Sequence, residues 1–384
     1  MVSFGNVIIF LLEGEERLMK ARILAALLLL VLTIGGLSGC ISSNKRFAYV
    51  TGTGTNEVFQ FQVHSNGSLT PLNPANVAVG SSPSSVAVRP AGDFAYITNF
   101  AGNNVTLLAV NKGNGQLTIP VNTNPIPPPT PPNIFNTGTG PIAVVASPSA
   151  PFLFVLDQGS SDVISFTIDP ATGSLTVVST LPLTSPITHP TSMAVSPKGD
   201  LLLVVDQAAG SLAVISVSSK GVLSGGPVSL GATAPSSVVI EPTGRFFYVT
   251  DKTKNQVLGF SIPSGGALTQ VSGSPFATGS APVSVAANSA GTFLYVANQG
   301  SNDVSAFLID SSTGALAAIS GSAVATGGRG PTLVTASGSF VYVTEQITND
   351  IAAFTIGSNG GLSAVPGSPF NVAAPAQWIT LSKE

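Results

Sequence analysis

FAYVT at residues 47–51 returns as FAYIT (94–98), FLFVL (152–156), LLLVV (201–205), FFYVT (246–250), FLYVA (293–297) and FVYVT (340–344). The central residues are Tyr49, Tyr96, Phe154, Leu203, Tyr248, Tyr295 and Tyr342, spaced 47, 58, 49, 45, 47 and 47 apart. The long interval holds a proline-rich insertion, IPVNTNPIPPPTPPN (119–133). Self-similarity at this period marks a repeat architecture in which no single unit can bury its own apolar face.

Working outward, each aromatic run is followed by a polar loop and another strand: VFQFQV (58–63), VISFTI (163–168), VLGFSI (257–262), IAAFTI (351–356). A turn then leads into a Gly-x-Leu start, as at Gly67-Ser68-Leu69, Gly173-Ser174-Leu175 and Gly314-Ala315-Leu316. A further strand precedes each aromatic run, such as SVAV (85–88), SMAV (192–195) or SVVI (237–240). Gly, Pro, Asn and Ser punctuate so densely that no stretch keeps helical spacing. Four short strands per unit predict an all-β fold, a seven-bladed β-propeller with four antiparallel strands per blade.

The first strand of a unit opens on proline at Pro83, Pro141, Pro190, Pro235, Pro282 and Pro331, and a seventh, Pro375, opens PAQWITLS. The chain enters its first unit at the second strand, so residues 376–382 are expected to complete the blade built from 45–72. Trp378 should pack there. Such closure removes the exposed sheet edge of a linear array. The domain is expected to span 41–384 as one ring. The insertion 119–133 interrupts one blade connection, either as a polyproline segment that docks aromatic grooves or as a stiff spacer.

Residues 19–40 read MKARILAALLLLVLTIGGLSGC. Lys20 and Arg22 precede an apolar stretch of signal-peptide length, shorter than a membrane span needs. Its end, Leu37-Ser38-Gly39-Cys40, resembles the lipobox of bacterial lipoproteins, which implies cleavage before Cys40 and acylation of that cysteine. Residues 1–18 read as an upstream extension, since a complete signal begins at Met19. The expectation is an exported chain anchored by lipid on Cys40 in the bacterial envelope, at the outer membrane or cell surface.

Composition narrows the chemistry. Only 8% of the 384 residues are charged and the net charge is −3, which leaves no basic patch for a nucleic-acid backbone. A single cysteine excludes a disulfide framework and a cysteine-rich metal site. No metal or cofactor is expected, and the ring is expected to be monomeric.

The P-x-S-V-A-V-x-P-x-G-x-F-x-Y-V unit resembles the lactonase family of seven-bladed propellers, which includes bacterial 6-phosphogluconolactonases. The FxYVT-loop-NxV pattern is similar to YVTN-repeat surface proteins. The resemblance covers about residues 45–382 and implies propeller architecture. It would also imply lactone hydrolysis, but family members often carry His directly after the strand-opening proline. The matching positions here are Ser84, Ile142, Thr191, Ser236, Val283, Thr332 and Ala376, and none can take up a proton.

Candidate residues come from the loops. Asn99, Asp157, Asp206, Asp251, Asn298 and Glu345 end the second strands, with Gly52 in the first blade. They are expected to ring the channel mouth, either as a ligand site or as turn residues that bond their own backbone. Before the opening prolines stand small residues (Ser82, Gly140, Ala234, Ala281, Gly330, Ala374), except His189. His189 is a candidate general base. With Arg329 and Glu345 it forms a candidate ester-hydrolysing set, although their blades are not adjacent, and Asp157, Asp206 or Glu345 is the candidate carboxylate partner of His189. Asp157, Asp206, Arg329, Lys252 and Lys254 are ligand-binding candidates. Arg89, Lys198 and Arg245 read as solvated turn charges on the opposite face. Two functions remain open: a module binding protein, glycan or a small molecule through its loop face, or a lactone hydrolase.

Overall fold

The computed structural model describes residues 45–120, 133–262, 268–321 and 323–382. Cys40, the signal-like segment and most of the insertion 119–133 lie outside the described residues. Seven antiparallel sheets are present, each built on four successive strands from inside to outside. Blade 1 has Ala376–Leu381 inside, then Arg46–Gly52, Glu57–Val63 and Leu69–Ala78. The C-terminal strand therefore completes the first blade, pairing Tyr49 with Thr380 and Val50 with Ile379.

One register detail departs from the proline spacing. Gly52 pairs with Ala376, as Asn99 pairs with Pro83 and Asp157 with Pro141. The strand-opening position of blade 1 is thus Ala376, not Pro375, and the residue that follows it is Gln377. A bulge between Thr51 and Gly52 accompanies the shared pattern, because each blade breaks register at this point.

The core lies between blades rather than within them. Phe94, Tyr96 and Leu107 of blade 2 pack with Val144, Leu153 and Phe166 of blade 3, and blades 7 and 1 share a cluster that includes Tyr342, Phe59 and Ile379. The aromatic repeat is the device that joins neighbours. Tyr49, Tyr96, Tyr248, Tyr295 and Tyr342 are fully buried, and each donates its hydroxyl to a turn-glycine carbonyl of the next blade. The acceptors are Gly115, Gly173, Gly314, Gly360 and Gly67, at 2.7–3.0 Å.

The phenylalanine two positions earlier covers the same glycine. A β-carbon on Gly115 would lie 2.1 Å from Phe47, and one on Gly67 would lie 2.4 Å from Phe340. These glycines have φ between +73° and +84°, where a side chain is strained in any case. Blade 3 has Phe154 instead of tyrosine. Its cross-strand partner Ser165 takes over, donating to Gly221 of blade 4 at 2.7 Å.

The outermost strand is the least regular. In blades 2, 5, 6 and 7 it is split into two short pieces that pair separately with the third strand. The insertion falls inside one such strand: Leu117–Thr118 and Ile134–Asn136 both pair with Asn104–Val110. It divides the outer strand of blade 2 instead of joining two strands.

Arg89 also corrects an expectation. It is buried, pairs with Asp93, donates to the Pro170 carbonyl of blade 3 at 2.8 Å and lies over the Phe94 ring. That makes it an inter-blade tie, not a solvated turn charge. Arg245 similarly covers Phe246 and reaches the Ser311 carbonyl of blade 6, although it stays exposed.

Candidate functional site

The residues that end the second strands sit where the chain crosses from one blade to the next. Asn99, Asp157, Asp206, Asp251, Asn298 and Glu345 are all 0% exposed, so they do not face the channel mouth as expected. Their side chains hold the crossing loops instead. Asp206 accepts the backbone N–H groups of Thr188, His189 and Ala209. Asp251 accepts those of Thr233, Ala234 and Lys254, and Asp157 accepts that of Gly138 at 3.1 Å. Asp206 and Asp251, each filled by three backbone donors, are satisfied structurally and not free for a ligand, whereas Asp157 has only one such donor.

Two of these positions hold carboxyl pairs. Asp157 stands opposite Asp162, and Glu345 opposite Asp350, in the same register that sets Asn99 against Asn104 and Asn298 against Asp303. In the amide-bearing blades the contact is an N–H donated to oxygen, at 2.7 Å from Asn99 to Asn104 and 2.6 Å from Asn298 to Asp303. Two carboxylates can reproduce that contact only by keeping a proton. Burial, with Asp162 beside it, pushes the Asp157 carboxyl up to about 7. Burial, with Asp350 beside it, pushes Glu345 up to about 8.

His189 departs from the repeat for a backbone reason. In blades 2, 3, 6 and 7 the N–H before the opening proline is capped by an asparagine of the preceding blade: Asn56 to Ser82, Asn103 to Gly140, Asn255 to Ala281, Asn302 to Gly330. Those four capped residues have φ between +51° and +73°, which selects small side chains. Ahead of blades 4 and 5 the asparagine is replaced by Ser161 and Gly210. The N–H groups of His189 and Ala234 turn to Asp206 and Asp251 instead, and neither residue has positive φ. A bulky residue is tolerated at 189 because the left-handed constraint is gone.

Of the candidate hydrolytic set, His189 and Asp206 meet, through the His189 backbone N–H. His189 is exposed in blade 4, Arg329 is exposed in blade 7, and Glu345 is buried against Thr326. Arg329 holds its loop through the backbone, accepting from Ile347 and donating to Thr348. Lys252 is half-buried and donates to Gln299 at 3.2 Å, while Lys254 is exposed. None of these six residues lines either of the two channel cavities. Among the described residues, no group of three or more His, Cys, Asp or Glu is placed to hold a metal ion.

What the channel does present is uncharged. Its mouth is a cup of about 240 Å³, ringed by Ser84, Ile142, Thr191, Ser236, Val283, Thr332 and Gln377. These are the positions directly after the strand openings, one from each blade. Gln158 and Trp378 complete the wall. A deeper cavity of about 390 Å³ follows the inner strands, lined by residues such as Val86, Val144, Met193, Val238, Val285 and Ile379. No lining residue of either cavity is titratable.

The inner strands leave one edge unpaired toward the channel, and hydroxyls stitch it. Ser84, Thr191 and Ser236 each donate to the carbonyl of the next blade's opening proline, at 2.7, 3.4 and 2.8 Å, and Thr332 donates to Ala376 at 3.1 Å. Ile142 and Val283 have no hydroxyl. In their blades Gln158 and Gln299 reach over to the same acceptor, Pro190 at 2.9 Å and Pro331 at 3.2 Å. One layer deeper, Ser85, Ser192, Ser237 and Ser284 accept N–H groups from the next inner strand. The glutamines and Gln377 were not picked out by sequence reasoning. Gln158 and Gln299 follow their clamp residues in the blades of Ile142 and Val283, but Gln207 and Gln346 do so in blades 4 and 7, where the ring hydroxyl is present, so the sequence carried no distinguishing signal.

Residues 40–225 and 222–335 match the family model described as lactonase, 7-bladed beta-propeller. No curated protein matches the sequence. Among solved structures, a Pseudomonas aeruginosa periplasmic gluconolactonase is 20% identical with a TM-score of 0.71, covering 88% of this chain and 99% of that one. A candidate 6-phosphogluconolactonase from Bacteroides uniformis is 16% identical with a TM-score of 0.71, covering 88% and 100%. Another candidate from Bacteroides fragilis is 17% identical with a TM-score of 0.72, covering 90% and 99%. At these identities the likeness concerns the fold.

Proposed function

The chain belongs to the lactonase family of seven-bladed β-propellers, and from that premise we propose that it works as a binding module through its channel mouth, not as a hydrolase. One observation carries this reading: every side chain lining the cup is neutral. Lactone hydrolysis needs a group to activate water and donors aimed at the developing oxyanion. The wall supplies only neutral hydroxyls and amides, none of which can take a proton from an attacking water.

A second reading, lactone hydrolysis, draws support from family membership and from the gluconolactonase and 6-phosphogluconolactonase descriptions of its structural neighbours. Its residues would be His189, Arg329, Glu345 and Asp206. The full chain, assayed with gluconolactone and 6-phosphogluconolactone, is expected to leave both at their spontaneous rates, with His189→Ala indistinguishable. Turnover well above the spontaneous rate, abolished by His189→Ala, would replace the binding reading with the hydrolytic one.

The module is further proposed to sit on the bacterial envelope through acylated Cys40, supported by the signal-like run that ends there. Two or more acyl chains give stable anchoring where one gives only marginal binding. Cys40→Ser should move the protein out of the membrane fraction or leave it as an unprocessed precursor. Unchanged fractionation and unchanged mass would remove the anchor from the proposal.

A further inference from the structure

The geometry points to a neutral, polyhydroxylated ring, a single sugar unit, as the ligand of the channel cup. This inference rests on the binding reading above and specifies its chemistry. The decisive feature is which hydrogen-bonding valences of the cup remain free.

A hydroxyl has one proton and two lone pairs. Ser84, Thr191, Ser236 and Thr332 each have a carbonyl acceptor in the next blade, and a carbonyl can only accept. With their protons committed there, these four can only accept; Ser84, Ser236 and Thr332 also meet the hydroxyls of Thr98, Thr250 and Thr344 at 2.8–2.9 Å, which leaves each one lone pair for the cup. Gln158 commits one amide N–H to Pro190 and keeps its second N–H and its carbonyl oxygen. The hydroxyls of the outer layer therefore accept, and the donors at that height are the neutral amides of Gln158 and Gln377.

The layer below has the opposite bias. Ser192, Ser237 and Ser284 line the cup and accept N–H groups of Val238, Val285 and Val334. Their own protons are left to donate. A ligand that fits both layers must donate at one height and accept at the next, which is what adjacent hydroxyl groups on a ring do. An anion such as a phosphate ester is acceptor-rich and would meet the outer lone pairs with no cation on the wall to offset them. An ammonium can satisfy only the outer layer.

Size and the wall agree with a single ring. The cup, about 240 Å³, is smaller than the roughly 300 Å³ at which drug-sized pockets begin, a size that suits one ring. Trp378 packs against the cluster shared by blades 1 and 2 and lines the cup with the rest of its surface, which can meet the C–H face of such a ring. It is half-buried in the wall and is the only tryptophan of the chain.

That singularity makes the test direct, because intrinsic tryptophan fluorescence reports on the channel alone. The full chain is titrated with methyl α-glucoside, methyl α-galactoside and methyl α-mannoside, and in parallel with glucose 6-phosphate and tetramethylammonium. At least one neutral hexoside is expected to give a saturable change, with glucose 6-phosphate and tetramethylammonium binding at least about tenfold more weakly. Thr191→Val and Ser236→Ala, both near-isosteric and checked for an unchanged circular dichroism spectrum, should each weaken the hexoside about three- to tenfold, the worth of one neutral hydrogen bond. The inference is overturned if no neutral hexoside gives saturation, if either charged probe binds as tightly, or if both variants bind normally. Lactone turnover would sink the binding-module reading; silent hexosides without turnover would sink the sugar assignment alone.

Discussion

Raising the pH from 5 to 9 should destabilise the ring, and the loss should disappear in the double variant Asp157→Asn, Glu345→Gln. Each carboxyl pair keeps a proton in the folded state that a free carboxylate has lost by about pH 4. The folded values, about 7 for Asp157 and about 8 for Glu345, lie above the unfolded ones. The folded chain then binds more protons across that window, so stability falls as pH rises. The contribution is complete below about pH 4 and is lost as pH climbs through the folded values.

At about 1.4 kcal/mol for each pH unit of separation, the loss is on the order of a few kcal/mol per pair. The amides should be neutral because Asn99 and Asn298 already do this work in blades 2 and 6. Denaturant midpoints at pH 5, 7 and 9 test the point. Equal midpoints for the natural chain at pH 5 and 9, or an unchanged slope in the variant, would remove the shared protons. The acid side has the reverse sign: hydrogen bonds from Ser312 and Thr313 hold Asp310 down to about 2, so its turn weakens only as pH falls toward that value.

The second large effect concerns the aromatic latches. Gly115→Ala should cost about 2–5 kcal/mol, whereas Gly92→Ala should cost only about 1–2 kcal/mol. Both glycines have positive φ, +77° and +72°, so the backbone strain is matched. They differ in what a new methyl would meet. At Gly115 it falls on the buried Phe47 ring, while at Gly92 nothing lies within 4 Å. Urea denaturation of the two variants isolates the latch. Equal losses would mean that the phenylalanine ring yields freely and that the latch is not a steric fit.

The repeat was legible because strands and turns are written locally. Alternation, glycine turns and opening prolines gave seven blades and the closing strand. Side-chain partners were not legible, because each lies in another blade at a distance that only ring closure sets. Tyr342 and Gly67 are 275 positions apart and still 3.0 Å in space. The same limit explains the misplaced ring of acids: Asp157 and Asp206 end their strands where expected, but the crossing loops fold over them. His189 looked informative because its neighbours in the repeat are small. Their smallness reflects left-handed backbone capped by an asparagine 26 to 37 residues upstream, replaced by Ser161 for blade 4. At the strand opening of blade 1, the proline pattern missed by one residue, since Pro375 precedes the pairing that Ala376 begins.

The divided outer strands set how rings behave when crowded together. A free strand edge is a template on which a neighbouring chain can add its own strand. In blades 2, 5, 6 and 7 the rim offers only two or three consecutive residues before it breaks. The three longer outer strands are spoiled in other ways: Leu69–Ala78 contains Pro71 and Pro74, Leu175–Pro182 carries a register shift, and Leu223–Ser229 includes Gly225, Gly226 and Pro227. With almost no charge to keep copies apart, the rim relies on discontinuity to resist side-by-side polymerisation, and packed neighbours are left to meet through side chains alone.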